Sequence, residues 1–404
     1  MSTPEWTVPL SDVTGDEELT RAVEEAVRSG WWSAGPRVAE LEAEFAGLVE
    51  ARHAIAVSNG TAALHLALLA AEVGPGDEVI TPSLTFVAVA NTIRHVGATP
   101  VFCDVLGPGD LNLDPADVEA AITPRTKAIV VLHYGGFPCA IESVLELAAT
   151  RGIMVVEDAA HAVGATVRGK ACGTLGSLGC FSFFSNKNLP IGEGGMVVTD
   201  DDEFARRLRL HRSHGMTTLT WDRHRGHASS YDVLLPGHNY RLDDIRAAMA
   251  LVQLRRLPAW NAARRRLADG YVRRLHDEQG LTIAFAERDD RDAASHHLAV
   301  AVLPHGADRD GIREALAAAR VQTSVHYPPI HRFAAYEGFR DRALPRTDAL
   351  ADRLLTLPLY PDLSEGQLES VAQALLGALA TGSRSGASPK PDDALVRARS
   401  DSGA

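Results

Sequence analysis

Apolar residues between positions 54 and 199 fall into short runs that alternate with segments of helical periodicity. The apolar runs predict seven strands, at residues 54–57, 78–81, 100–104, 128–132, 153–157, 179–183 and 196–199. Four intervening segments predict connecting helices, at residues 62–71, 86–95, 115–121 and 141–150. This alternation indicates an α/β fold with a mainly parallel seven-stranded sheet, helices on both faces, and ligands at the carboxyl ends of the strands.

The chain on either side of this region predicts further elements. Helices are expected at residues 17–29 and 37–49, and at 243–257, where Pro258 breaks the pattern before another helix at 259–276. A smaller C-terminal α/β domain is expected from strands at 296–302 and 322–325 and helices at 310–319, 347–355 and 365–379. The predicted organisation is an arm (1–13), a large domain (14–257), a small domain (258–380) and a disordered tail (381–404).

Composition and charge narrow the class of partner. The 404 residues are 46% hydrophobic and 23% charged, as in ordinary globular proteins. A net charge of −12 offers no general attraction to nucleic acid or to an anionic membrane, so a small-molecule partner is expected. The four cysteines show no CxxC spacing, and the histidines at 211, 214, 224 and 227 have no supporting carboxylate or cysteine pattern, so no metal is expected. The amino terminus lacks signal-peptide features and no run could span a bilayer, which predicts a cytoplasmic location.

Lys187 is the most informative candidate for chemistry. It lies between an aromatic run at 181–184 and a glycine-rich turn at 192–195 that leads into the last predicted strand. A lysine between two buried strands is not a routine solvated side chain, and its amine is available for Schiff-base chemistry. Asp158 ends another apolar strand, and an aspartate is the usual partner of the ring nitrogen of pyridoxal phosphate (PLP). Together the two residues predict a PLP enzyme.

Other positions allow both a cofactor role and a structural one. The small residues of segment 58–64 can present backbone N–H groups and the Thr61 hydroxyl to a phosphate, although such residues are also ordinary helix caps. Phe86 is placed either to stack on the pyridine ring or to join the core. His161 either reaches the phenolic oxygen of the cofactor or is structural. Ser182 either adds a phosphate contact or is a buried strand serine.

Two further segments stay open at this level. Paired tryptophans at 31 and 32, within the turn 30–36, are expected to dock on the body, on a neighbouring subunit or at the mouth of the active site. The basic segment 221–227 is either a diphosphate contact or a solvated loop.

The order of these motifs resembles the DegT/DnrJ/EryC1/StrS aminotransferases over most of the chain. The matching segments are 58–64, 81–87, 156–161, 181–195, 237–244, 325–331 and 357–361. The resemblance implies the fold type I architecture of PLP-dependent transferases, with a large domain and a smaller C-terminal one. It also implies a homodimer whose active sites contain residues from both subunits.

The resemblance assigns roles to individual residues. Lys187 matches the lysine that binds PLP covalently, and Asp158 matches the partner of the pyridine nitrogen. The other cofactor positions that match are Thr61, Ala62 and Ser182 for the phosphate, Phe86 for ring stacking, His161 beside the ring, and Asn239 reaching the phosphate from the partner subunit. Arg241, His326 and Tyr327 match positions near the substrate.

Two residues depart from the family pattern, and one supports a particular reaction. His161 stands where many members have glutamine, and Phe184 where many have histidine or tyrosine. Members that dehydrate sugars carry histidine in place of the lysine, so Lys187 favours transamination. The expected reaction moves an amino group from L-glutamate or L-glutamine to a nucleotide-linked keto-sugar, in amino-sugar or secondary-metabolite biosynthesis. The alternatives are a cyclitol ketone aminotransferase, a PLP-dependent sugar dehydratase or lyase, and a catalytically silent regulator.

Overall fold

A seven-stranded sheet forms the centre of the fold in the computed structural model, which describes residues 6–13, 15–218, 221 and 230–382. Its strands are β1 (His53–Val57), β2 (Glu78–Pro82), β3 (Thr99–Cys103), β6 (Thr126–Leu132), β7 (Met154–Asp158), β10 (Leu178–Ser182) and β11 (Gly195–Thr199). Their order in the sheet is β1-β11-β10-β7-β6-β2-β3, and β11 alone runs antiparallel to its neighbours. All seven coincide with the predicted strands, which confirms the α/β fold with a mainly parallel seven-stranded sheet.

Helices cover this sheet and a smaller one follows it. The helices are α1 (Glu17–Arg28), α2 (Pro36–Val49), α3 (Gly60–Ala70), α4 (Ala88–His95), α5 (Pro115–Ala121), α6 (Ile141–Ala149), α7 (Asp202–Arg212), α8 (Asp244–Leu275), α9 (Arg309–Ala318), α10 (Pro345–Ala351) and α11 (Glu365–Gly382). A second sheet has the antiparallel order β12 (Thr282–Ile283), β13 (Ala299–Val302), β14 (Leu354–Leu357). Two short hairpins pair β4 (Val105–Gly107) with β5 (Asp110–Leu113) and β8 (Thr166–Val167) with β9 (Lys170–Ala171).

Strand direction explains where Lys187 lies. The central strands β2, β7 and β10 are buried almost throughout, because helices cover both faces of the sheet. A parallel neighbour requires a long crossover, whereas a short connection returns the chain antiparallel. The connection from β10 to β11 is short and lacks a helix, so β11 returns antiparallel, and Lys187 lies within it.

The predicted helix break at Pro258 is wrong. Helix α8 runs for 32 residues with Pro258 inside it. A proline inside a helix costs about 3 kcal/mol, so packing must hold the two halves in line. Leu254 and Leu257 are buried in the core just before the proline, and the Asn261 side chain donates to the Val163 carbonyl at 2.9 Å just after it. The division into domains at 257/258 stays a prediction, and it falls inside this helix.

Two other predicted elements differ in the C-terminal region. Residues 322–325 form no strand, only an isolated bridge between Ser324 and Thr356. The helix predicted to reach residue 355 ends at Ala351, and the fully buried run Leu354–Leu357 forms β14 instead. An apolar run of four residues is too short to distinguish a strand from a helix by periodicity. Its pairing with β13 and its burial in the core make it a strand.

The N-terminal arm docks on this C-terminal region. Val8 forms a parallel bridge with Val321, and the Leu359 N–H donates to the Leu10 carbonyl at 3.2 Å. The predicted disordered tail, apart from residues 381–382 at the end of α11, lies outside the described residues, as do residues 222–227 of the basic segment. Within the described ranges, no helix is both long and apolar enough to cross a membrane.

The turn with the paired tryptophans is attached to the start of α8. The Asp244 carboxylate accepts the N–H groups of Gly35 at 2.9 Å and Val38 at 3.1 Å. Trp31 lies partly buried beside this contact, whereas Trp32 is 57% exposed. The backbone of the turn is therefore held by its own chain, and neither tryptophan is among the described residues that border the large cavity considered next. Docking of the exposed Trp32 on a neighbouring subunit stays a prediction.

Candidate active site

A cavity of about 610 Å³ opens at the carboxyl edge of the central sheet. Its size lies within the range of small-molecule sites. It is bordered by the start of α3, the segment after β2, the end of β7, the connection after β10, and a late segment that contains His326 and Tyr327. The predicted residues Thr61, Ala62, Phe86, Asp158, His161, Ser182, Lys187, His326 and Tyr327 all border it.

Asp158 forms the acidic end of the cavity. It is 6% exposed and its Oδ1 accepts the Ala160 N–H at 3.1 Å. Burial raises the pKa of the carboxyl, while the Ala160 N–H and the positive charges of Lys187 and His133 oppose that rise. A buried carboxylate of this kind is stabilised by a cationic partner, and a protonated pyridine nitrogen would supply one.

Lys187 provides the nucleophilic end. Burial lowers the pKa of its amine to about 8, and the Asp158 charge opposes this shift. The next residue is anchored firmly, because the Asn188 amide donates to the Ser295 carbonyl at 2.7 Å and to the Asn261 side chain at 2.8 Å. At pH 7 roughly a tenth of such amines are neutral, against less than about one in a thousand for an ordinary lysine. The site therefore holds an amine ready to attack an aldehyde.

The start of α3 lies directly beside Ser182, and the two form a site for an anion at the edge of the cavity. The Asn59 side chain caps the helix by accepting the Ala62 N–H at 2.8 Å. The preceding N–H groups, of Gly60 and Thr61, belong to the first turn and have no intrahelical acceptor. Gly60 lies so close to Ser182 that a Cβ at position 60 would be 2.8 Å from the serine Cβ. Amides, hydroxyls and a helix terminus suit a phosphate group.

Phe86 lies in the cavity wall rather than in the core. Its side chain is 55% exposed, and its ring centroid is 5.9 Å from that of Tyr327. An exposed aromatic face beside Asp158 and Lys187 fits a planar ring. The acid, the amine, the anion site and this aromatic wall together match the functional groups of PLP.

His161 and the segment 326–327 form a hydrogen-bonded group. The Gly135 N–H donates to His161 Nδ1 at 3.2 Å, and His161 Nε2 lies 2.8 Å from the Tyr327 hydroxyl. The Tyr134 hydroxyl donates to the His326 carbonyl, and His326 Nδ1 lies 3.0 Å from a threonine hydroxyl. Burial, reinforced by Lys187, holds the pKa of His161 well below its usual range and lowers that of His326 to about 4. Both imidazoles are therefore neutral near pH 7.

Asn239 and Arg241 are not brought into this group. Neither is among the described residues that border the cavity of their own chain. Asn239 is exposed and bridges Ser213, and Arg241 donates to the Ser213 hydroxyl at 3.0 Å. Tyr240, which lies between them, does border the cavity.

Sequence reasoning missed several lining residues and one supporting pair. His65 and Tyr240 line the cavity with 3.2 Å between Nδ1 and the hydroxyl; a lone histidine inside the apolar α3 run was the available signal. The supporting pair is Glu157, a residue of β7, and His133. The Glu157 carboxylate accepts three backbone N–H groups and lies 2.8 Å from His133 Nε2, and both side chains are fully buried. No local pattern marks that pair, whose members are 24 residues apart.

Comparisons with known proteins agree with this geometry. Residues 13–376 match the model of the DegT/DnrJ/EryC1/StrS aminotransferase family. The spore coat polysaccharide biosynthesis protein SpsC of Bacillus subtilis is 42% identical over 378 residues, which cover 92% of this chain and 95% of SpsC. Helicobacter pylori PseC, an aminotransferase of pseudoaminic acid biosynthesis, is 29% identical with a TM-score of 0.86, over 93% of this chain and 99% of PseC. DesI, solved in the presence of its TDP-sugar product, is 35% identical with a TM-score of 0.82, over 93% of each chain.

The fold and the lysine–aspartate cavity define a PLP-dependent aminotransferase of the fold type I class. Within that class, the chain belongs to the DegT/DnrJ/EryC1/StrS aminotransferase family.

Proposed function

We propose that this aminotransferase moves an amino group from L-glutamate or L-glutamine to the ketone of a nucleotide-linked keto-sugar, in amino-sugar or secondary-metabolite biosynthesis. The observation that carries the proposal is the meeting of Lys187 and Asp158 in one cavity with an anion site at the start of α3. The names of SpsC, PseC and DesI, which concern polysaccharide, pseudoaminic acid and a TDP-sugar, support a sugar acceptor. A cytoplasmic location stays a prediction.

PLP, when bound, supplies an aldehyde for the amine and an electron-withdrawing ring. Asp158 would pair with the pyridine nitrogen and keep it protonated, and Phe86 would offer its exposed face to the ring. Lys187 would hold the cofactor covalently through Nζ, the position that the donor amine would occupy during the reaction. The freed amine is neutral in a useful fraction of molecules because burial lowers its pKa to about 8. Lys187 Nζ could therefore accept a proton from the substrate carbon and serve as the group that returns it.

The remaining contacts follow from the same arrangement. Thr61, Ala62 and Ser182 hold the phosphate at the helix terminus. The Ala62 N–H already donates to the Asn59 side chain, so it is not available to the phosphate. The part of Ala62 is to let the phosphate come close to the helix, because its side chain is small. His326 and Tyr327 face the cavity from the late segment and are proposed to contact substrate.

Substitution of the lysine tests the central assignment. In Lys187→Ala, borohydride treatment should no longer attach PLP covalently to the protein, and turnover should be lost. Lys170→Ala is the matched control, because Lys170 is exposed in a short hairpin away from the cavity. Covalent labelling and normal turnover in Lys187→Ala would show that the assignment is wrong.

We also propose a homodimer in which Asn239 and Arg241 serve the site of the partner subunit, since neither borders the cavity of its own chain. Mixing Lys187→Ala with Asn239→Ala subunits tests this. A mixed dimer has one site with both residues intact, so activity should reappear although each variant alone is impaired. If Asn239 acts within its own chain, mixing restores nothing.

The acceptor is tested with a panel of nucleotide keto-sugars and keto-cyclitols, each incubated with glutamate or glutamine and followed by product mass. Amination of a nucleotide sugar only in the presence of a donor is the expected result. Amination of cyclitols alone would reassign the acceptor, and a dehydrated product formed without a donor would indicate a lyase.

A further inference from the structure

The hydrogen bonds around His161 determine which of its nitrogens carries the proton. A backbone N–H can only donate, so the Gly135 N–H, 3.2 Å from Nδ1, requires an unprotonated Nδ1. The neutral imidazole then carries its proton on Nε2, which lies 2.8 Å from the Tyr327 hydroxyl. His161 therefore donates to the tyrosine oxygen.

This bond leaves the Tyr327 proton free to point elsewhere. The tyrosine oxygen accepts from His161, so its own O–H is available as a donor, and Tyr327 borders the cavity. Its place is well defined, because the Tyr134 hydroxyl binds the adjacent His326 carbonyl and the rings of His161 and Tyr327 lie side by side, with planes 17° apart and centroids separated by 5.9 Å. Burial and the nearby Asp158 raise the pKa of the phenol well above its usual value, so the proton is retained.

His161 itself has no free donor for the cavity. Both nitrogens of the ring are engaged, one by Gly135 and the other by Tyr327, so a direct contact between the imidazole and the phenolic oxygen of the cofactor would have to replace one of these bonds. As long as both bonds persist, His161 acts on a bound molecule through the tyrosine.

We propose that His161 is a positioning residue that orients the Tyr327 hydroxyl as a hydrogen-bond donor to an oxygen of the molecule bound beside Asp158. The inference rests on the proposed cofactor site. That oxygen is either the phenolic oxygen of the cofactor or a substrate oxygen, and both would accept the same bond. This arrangement depends on an acceptor and a donor side by side in residue 161. A glutamine carboxamide also offers this pair, whereas a leucine of similar volume offers neither.

We call the chain of hydrogen bonds from the Gly135 N–H through His161 to the Tyr327 hydroxyl the relay. A double-mutant cycle on PLP affinity tests it. The proteins are wild type, His161→Leu, Tyr327→Phe and the double variant, prepared as full-length apoprotein and titrated with PLP by intrinsic fluorescence. If the phenolic oxygen of the cofactor is the acceptor, each single variant should weaken PLP binding about three- to tenfold, as expected for one hydrogen bond. The double variant should be no weaker than Tyr327→Phe, because His161 acts through that hydroxyl. Losses that multiply in the double variant would overturn the proposal.

Two comparisons make the cycle specific. His161→Gln should recover most of the PLP affinity that His161→Leu loses. If the glutamine variant binds PLP as weakly as the leucine variant, the donor–acceptor argument is contradicted. Tyr336→Phe is the matched control, because it removes a tyrosine hydroxyl that binds Asn91 and does not border the cavity. It should leave PLP affinity unchanged.

A cofactor analogue distinguishes the two possible acceptors, the phenolic oxygen of the cofactor and a substrate oxygen. With 3-deoxypyridoxal 5′-phosphate, which lacks the phenolic oxygen, Tyr327→Phe should have no effect if that oxygen is the acceptor. If a substrate oxygen is the acceptor, PLP affinity stays constant across the cycle, and the substrate KM rises with the same non-additive pattern. If loss of the Tyr327 hydroxyl changes neither PLP affinity nor the substrate KM, the proposed role of His161 and Tyr327 is refuted.

The proton position is measured directly by nitrogen NMR of apoprotein with 15N-labelled histidine. The His161 signals, identified by their loss in His161→Gln, should show the neutral form protonated on Nε2. A proton on Nδ1 would overturn the inference even if the leucine variant failed to fold. Borohydride labelling of Lys187 in each variant keeps the two proposals distinct: labelling persists if only the relay is wrong, and is absent from wild type if the cofactor assignment is wrong.

Discussion

The pH dependence of cofactor capture follows from the environment of Lys187. Only the neutral amine attacks the PLP aldehyde, and burial lowers the pKa of this amine from 10.5 to about 8. Roughly 1% of the amines are neutral at pH 6, roughly 10% at pH 7 and roughly 90% at pH 9, since each unit of pKa changes the ratio of the two forms tenfold. The second-order rate of covalent attachment to apoprotein should therefore rise about tenfold from pH 7 and level off above pH 9.

Asp158→Asn provides the matched perturbation. In the native protein, the Asp158 charge raises the pKa of Lys187 and partly offsets burial. Its removal should move the midpoint of the rate profile below that of wild type. At pH 7 the variant should capture PLP faster than wild type, although the bound cofactor turns over far more slowly.

The assay is stopped-flow absorbance of apoprotein mixed with excess PLP from pH 7 to 10, where the phosphate is fully ionised. Borohydride trapping confirms the covalent product. A rate that still rises at pH 10 would mean an ordinary lysine pKa and would refute the burial argument. A midpoint that moves upward in Asp158→Asn would refute the electrostatic part.

Three further outcomes are expected. Asp158→Asn should lower kcat/KM by about 100-fold or more, because the ring nitrogen loses its counter-charge, whereas Phe86→Leu should cost less than about tenfold; steady-state kinetics compares them, and equal losses would contradict the assigned roles. Gly60→Ala should weaken PLP binding and lower the free energy of unfolding by about 1–3 kcal/mol, because its Cβ would lie 2.8 Å from that of Ser182; Gly74→Ala, with no atom within 4 Å of its Cβ, is the control in the same titration and urea unfolding. Glu157→Ala should lower the free energy of unfolding by about 3–5 kcal/mol, because three N–H groups and His133 lose a buried partner. Glu119→Ala, which breaks an exposed ion pair with Arg151, should cost less than about 1 kcal/mol, and similar losses in the two variants would contradict the burial argument.

The local pattern of the chain was sufficient for the central sheet and for the chemistry at its edge. Each strand is an apolar run bounded by polar or small residues, and the alternation with helices requires a mainly parallel sheet. Since functional groups gather at the carboxyl ends of such strands, the positions of Asp158 and Lys187 along the chain already suggested that they meet.

The C-terminal region was predicted less well for a definite reason. The signals there are short: a single proline in α8, and four apolar residues in β14. Local preference was overridden by packing, because Pro258 lies in a helix held on both sides, and Leu354–Leu357 gains its burial only beside β13. Such contacts join residues far apart in the chain and leave no periodic trace.

The sequence by itself determined the fold class, the family, and the identities of the lysine and the acid. The tertiary structure alone decided how the supporting groups are connected. His161 binds the hydroxyl of Tyr327, which is 166 residues away, and Gly60 lies directly against Ser182. The physical reason is that the periodicity of apolar residues is a local property of the chain and can be read without knowing the fold. The direction in which a hydrogen bond donates depends on which atoms folding brings together.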